Sequence, residues 1–87
     1  MELVFWAGAK AVAGTASETW PAGSIRAALD AAAQQRQDAR FDRLLRVCTI
    51  LVDGVVVHVD RWGDPIEGAV RAEILPPFAG GSGRYTG

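Results

Sequence analysis

A chain of 87 residues that is 49% apolar and 22% charged has room for one folded domain and too much apolar content to stay disordered. Its formal net charge of −1 argues against non-specific nucleic-acid binding, which usually needs a basic face. No stretch approaches the roughly 20 apolar residues of a membrane span, and a single cysteine, Cys48, allows no internal disulfide, as expected of a protein of the reducing cytoplasm.

The chain opens on Met1-Glu2, and the apolar run that follows, Leu3–Ala7, is too short for a secretory leader. Residues 2–7 read instead as a strand. On a period of two, Leu3, Phe5 and Ala7 share one face and Val4 and Trp6 the other. Both faces are apolar, which suits a central strand. Residues 8–14, made of Gly, Ala, Lys and Val, read as a loop. A short second strand is expected over Thr15–Trp20, closed by Pro21. Ser24 is a helix N-cap residue. After it Ile25, Ala28, Leu29, Ala32 and Ala33 recur at helical spacing, predicting an amphipathic helix of roughly 13 residues with one side ready to cover a sheet. A second helical turn is expected at Phe41–Leu45.

Residues 47–52, Val-Cys-Thr-Ile-Leu-Val, are rich in β-branched side chains and predict a strand. Asp53-Gly54 is a strong hairpin signal, and Val55–Val59 is the expected partner strand. Residues 61–68 read as turns. A last strand is expected over Ala69–Leu75, with Val70, Ala72 and Ile74 on one face and Arg71, Glu73 and Leu75 on the other. The order β, β, α, β, β, β, with about five strands and one main helix, predicts an α+β domain with the helix packed on one sheet face. The β-grasp arrangement of ubiquitin is the most economical way to connect them.

Beyond the last strand stands Leu75-Pro76-Pro77-Phe78-Ala79-Gly80-Gly81, then Ser82-Gly83-Arg84-Tyr85-Thr86-Gly87. Two prolines stop strand pairing and hold the chain extended. Gly80 and Gly81 then present bare backbone, which can pass a channel too narrow for side chains and approach a reactive phosphate closely. The expected layout is a β-grasp body at 1–75, a flexible diglycine tail at 76–81 and an extension at 82–87.

These residues carry a resemblance. Leu75-Pro-Pro-Phe-Ala-Gly-Gly81 resembles the closing motif of the MoaD/ThiS family of ubiquitin-like sulfur carriers, and the Pro-Pro pair resembles the MoaD branch in particular. Val4-Phe-Trp-Ala-Gly-Ala-Lys-Ala-Val-Ala-Gly14 is similar to the family's first strand and following loop, and Val52-Asp53-Gly54 to its Val-Asn-Gly hairpin. The similarity spans about residues 2–81. It implies that the chain is a protein substrate rather than an enzyme. A ubiquitin-activating-like adenylyltransferase would use ATP to adenylate the Gly81 carboxylate, and a persulfide sulfur would convert it to a thiocarboxylate. The large subunit of molybdopterin synthase would accept that sulfur in molybdenum-cofactor biosynthesis; related branches serve thiamin or cysteine synthesis. No bound cofactor and no metal are implied. The sequence departs from the family in two places. Six residues follow Gly81, so its carboxyl lies in a peptide bond and a protease cutting after Gly81 is expected. Gly68-Ala69 stands where the family commonly has Gly-Asp, apparently one position early.

Trp6 and Val4, with Leu75, are expected on the outward sheet face, where together with Pro76, Pro77 and Phe78 they would form an apolar docking patch for a partner. Cys48, among apolar strand neighbours, reads as an inert structural thiol. His58 reads as a strand-surface side chain, and one His with one Cys makes no metal site. Trp20 and Trp62 read as rim or core packing. The arginines of 36–46, interleaved with Asp38 and Asp42, read as a solvated face that could steer an acidic partner. Two other functions use the same fold: a protein modifier joined to lysine through Gly81, and a plain interaction module with an inert tail. No nucleophile–base pair, phosphate loop or ligand cluster marks an independent enzyme.

Overall fold

The computed structural model describes residues 1–77. Five strands form one mixed sheet. They are β1 (Glu2–Phe5), β2 (Ser17–Thr19), β3 (Thr49–Val52), β4 (Val55–Val56) and β5 (Arg71–Leu75), in spatial order β2-β1-β5-β3-β4. The two chain-terminal strands β1 and β5 run parallel at its centre, and every other neighbour is antiparallel. The register sets Leu3 beside Ala72 and Phe5 beside Ile74, and Ile50 faces Ile74 from the other side. These five side chains are buried and make the inner face of the sheet. Val4, Glu73 and Leu51 stand in register on the open face.

Three helices cover the inner face: α1 (Gly8–Ala13), α2 (Ile25–Arg36) and α3 (Ala39–Val47). The long helix begins where Ser24 predicts, with the Ser24 Oγ accepting the Ala27 N–H at 3.1 Å. Its Ile25, Ala28, Leu29 and Ala32 are buried against the sheet. Asp38 caps α3 in the same way, accepting the Arg40 N–H at 2.8 Å, and that bond holds its carboxyl below the ordinary range. Phe41 of α3 meets Phe5 edge to face, with ring centroids 6.0 Å apart.

The expected single main helix is thus corrected to three. Residues 8–14, read as a loop, hold α1. Three alanines favour it, and Gly14 in the left-handed region (φ 81°) closes it by donating to the Lys10 carbonyl. Six residues cannot form an isolated helix; the burial of Ala9 against the core and contact with α3 supply what propensity lacks. The turn expected at Phe41–Leu45 extends to nine residues. Val47 and Cys48 therefore end a helix rather than begin a strand, and β3 starts at Thr49.

The Asp53-Gly54 hairpin forms as predicted, with both residues at positive φ (53° and 77°) between paired Val52 and Val55. Its return strand is shorter than expected, ending at Val56 instead of Val59. The chain leaves the sheet edge so that Trp62 can be buried, its Nε1 donating to the Val57 carbonyl at 2.9 Å. A 3₁₀ turn at Val59–Arg61 makes that bend. Burying an indole outweighs continuing an edge pairing of exposed valines. The first strand stops at Phe5 and the last begins at Arg71, each shorter than its apolar run suggests.

Candidate functional site

Strand β5 delivers the chain to Pro76, and the missing amide hydrogens of Pro76 and Pro77 end its ladder there. Trp6 lies just beyond the parallel neighbour β1. Its N–H donates to the Ile74 carbonyl at 3.1 Å, which sets Trp6 level with Leu75. Four of the residues singled out from the sequence, Trp6, Leu75, Pro76 and Pro77, therefore gather at the carboxyl ends of the two central strands. Phe78, Gly80 and Gly81 lie outside the described residues, as does the 82–87 extension.

The open sheet face is less bare than its sequence suggests. Trp6 is 48% exposed, but Val4, expected to be outward and accessible, is only 8% exposed, and Leu75 is half-buried. The Trp6 indole reaches across the strands, with Nε1 donating to Glu73 Oε1 at 3.1 Å. A carboxylate thus fixes the ring at the edge of an apolar stripe that continues through half-buried Leu51 to exposed Val56. Glu73 was not among the residues predicted. The alternation that placed it on Trp6's face was the signal available.

On the other side of the chain exit, Pro76 and Pro77 flank an open groove of ≈ 630 Å³. Its far wall is α3, through Arg40, Arg43 and Arg46 with Leu44 and Val47. Its end is α1, through Gly8 and Val12. A Cβ added at Gly8 would stand 3.9 Å from the Pro76 ring, so the first proline of the tail rests against the start of α1. The sequence predicts one solvated face for the arginines of 36–46. Arg40, Arg43 and Arg46 are exposed, but Arg36 is not: it is tucked between α2, β2 and the end of α1. It grips Glu18 with two nitrogens, donates to the Ala13 and Ala32 carbonyls, and lies 4.4 Å over the Phe41 ring. Burial pushes the Glu18 carboxyl up, but the hydrogen bonds from Arg36 and Trp20 and the charge of Arg36 overcome it and hold it below its ordinary value.

Cys48 and His58 line a second groove between α2, α3 and the β4–3₁₀ segment. Cys48 caps α3 through its backbone N–H, which donates to the Leu44 carbonyl, and its thiol donates to the Leu45 carbonyl at 3.7 Å; burial pushes the thiol up to about 11, the opposite of an activated nucleophile. It sits in the helix cap and not, as expected, in a strand. Among the described residues, no group of three His, Cys, Asp or Glu side chains is placed to hold a metal, and no helix is long and apolar enough to cross a membrane.

No protein-family model matches the chain, and no curated protein matches it. Among solved structures it is similar to a chain in the protein–protein complex of subunits 1 and 2 of molybdopterin-converting factor from Helicobacter pylori 26695. The two align over 92% of this chain and 96% of the other, with a TM-score of 0.64 and 20% identity. The fold is a β-grasp. The likeness covers 92% of this chain, and the three helices and the two-residue β4 are the form the β-grasp takes here. In this β-grasp the first and last strands are the parallel centre of the sheet, and Pro76 and Pro77 follow directly on the last.

Proposed function

We propose that this protein is a ubiquitin-like sulfur carrier of the cytoplasm that serves molybdopterin synthesis. The reactive group is the carboxyl of Gly81, exposed once a protease removes residues 82–87. An adenylyltransferase of the ubiquitin-activating kind joins that carboxylate to the α-phosphorus of ATP, with pyrophosphate leaving. The outer sulfur of a persulfide donor then displaces AMP to form an acyl disulfide, and a thiol reductant cleaves its S–S bond to release the thiocarboxylate, which gives its sulfur to an acceptor such as the large subunit of molybdopterin synthase. Activation is required because a free carboxylate is a poor electrophile. The chain contributes no catalytic side chain and no cofactor of its own; its folded body supplies docking energy while the diglycine segment visits two active sites in turn.

The observation that carries this reading is the Pro76-Pro77-Phe78-Ala79-Gly80-Gly81 run placed directly after the central strand of a β-grasp. The fold it shares with a chain of the molybdopterin-converting factor complex supports the same pathway. The open-face residues Trp6 and Leu75, with Pro76, Pro77 and Phe78, are the proposed contact with the partner enzymes.

The test is a chain ending at Gly81, incubated with a cognate adenylyltransferase, ATP and a sulfur source, and weighed intact. The expected product has gained the mass difference between sulfur and oxygen, and the chain ending at Gly87 gains nothing. A Gly81-terminated chain that forms no adenylate with any such enzyme overturns the proposal. Higher-mass adducts on lysine would identify a protein modifier instead.

A further inference from the structure

The groove between α3 and the two prolines has a charge that neither the fold nor the proposed chemistry uses. Arg40, Arg43 and Arg46 recur every third residue of α3 and all line it. No carboxylate lines it with them. Asp42, the acid within the same helix turn, lines the grooves on the other flank. Arg40 reaches Asp38 at 3.6 Å with a side chain that is 67% exposed; among the described residues Arg43 and Arg46 make no ion pair. Between the cations the lining is apolar: Val12, Leu44 and Val47, the last 57% exposed. A locally positive, apolar-floored cleft thus stands on a chain whose net charge is −1.

From this we infer that the groove is a docking surface for an acidic segment of a partner protein, one that carries an apolar side chain to set between Val12 and Val47. Charge complementarity selects the occupant. The chain's own residues 78–87 contain Arg84 and no acidic side chain, so a single terminal carboxylate is all they could set against three arginines. A partner seated here holds the body beside Pro76 and Pro77, where the tail departs, and so fixes the point from which the tail reaches an active site. The arginines supply steering and orientation, and the apolar floor supplies contact area.

The surface is testable without any activating enzyme, so its failure is separable from failure of the sulfur-carrier reading. The probe is the peptide Ac-EDLEEFDE-NH2, titrated into the ¹⁵N-labelled full chain and followed by amide shifts. Shifts are expected at Gly8 and Val12 and along Arg40–Val47, and affinity should fall as salt rises. R43E/R46E is expected to weaken binding about tenfold or more, and R43Q/R46Q by a smaller factor, with unchanged circular dichroism. Replacing the peptide's Leu and Phe by Ser should also weaken it. Shifts centred on Trp6 and Leu51, or equal affinity in R43E/R46E, overturn the inference. So does concentration-dependent dimerisation of the free chain that R43E/R46E abolishes, because a second copy would then be the occupant.

Discussion

Replacing Arg36 by methionine keeps a long apolar stem and deletes five hydrogen bonds, two to Glu18, two to the Ala13 carbonyl and one to the Ala32 carbonyl. The guanidinium's position over Phe41 is lost with them. The Arg36 and Glu18 side chains are 15% and 20% exposed, so the pair is shielded from water but not sealed. Breaking a fully buried pair costs about 3–5 kcal/mol and an exposed one under about 1 kcal/mol. The expected loss is therefore about 2–3 kcal/mol, or about 10–20 °C in thermal midpoint for a domain of this size. The sign of the pH dependence follows from Glu18. Its carboxyl is held below its ordinary 4.5, so it stabilises the fold above that pH, and the contribution fades as pH falls through the lowered value. In Arg36→Met, burial of Glu18 is the leading effect and its carboxyl rises. The stability gap between wild type and variant should be full at about pH 7 and smaller at an acid pH well below Glu18's ordinary 4.5. Urea unfolding followed by circular dichroism at both pH values measures it. A gap below about 0.5 kcal/mol at neutral pH, within the range of an ordinary surface change, refutes the reasoning; so does a gap of equal size at both. The functional corollary is positional: Arg36 ties down the end of α1, the helix against which Pro76 rests.

Two further outcomes are expected. Trp6→Asp and Leu75→Asp should each weaken association with the adenylyltransferase by at least about tenfold while leaving cooperative unfolding in place; calorimetric titration and thermal melts check both, and loss of the folded state in both variants would remove the open face as a docking surface. Cys48, with its thiol pushed up to about 11, should react with a disulfide reagent about 100-fold slower at pH 8 than an unperturbed thiol, the rate climbing about tenfold for each further pH step. Labelling as fast as a free model thiol would show that the α3 cap opens readily.

Features set by near neighbours were legible in the sequence. Alternation assigned Leu3, Phe5, Ala72 and Ile74 to one face, because a strand's side chains alternate whatever it pairs with. Ser24 and Asp53-Gly54 were legible because capping and a primed turn depend on a residue's own neighbours. The Pro-Pro-to-Gly-Gly run was legible for the same reason, because the chemistry proposed for it belongs to the backbone and its carboxyl. Tertiary structure alone decided the rest. Helix α1 exists because Ala9 finds a core, and the Val55–Val59 run breaks because Trp62 needs burial. Arg36 leaves the solvated face because Glu18 comes to it from 18 residues away, while its helical neighbours in α3 stay out and line a groove with Pro76 and Pro77. Each of those outcomes weighs local preference against apolar area or a charge partner contributed by a distant segment. No window of sequence contains that sum, because the distant segment is positioned only once the first and last strands lie side by side at the centre of the sheet.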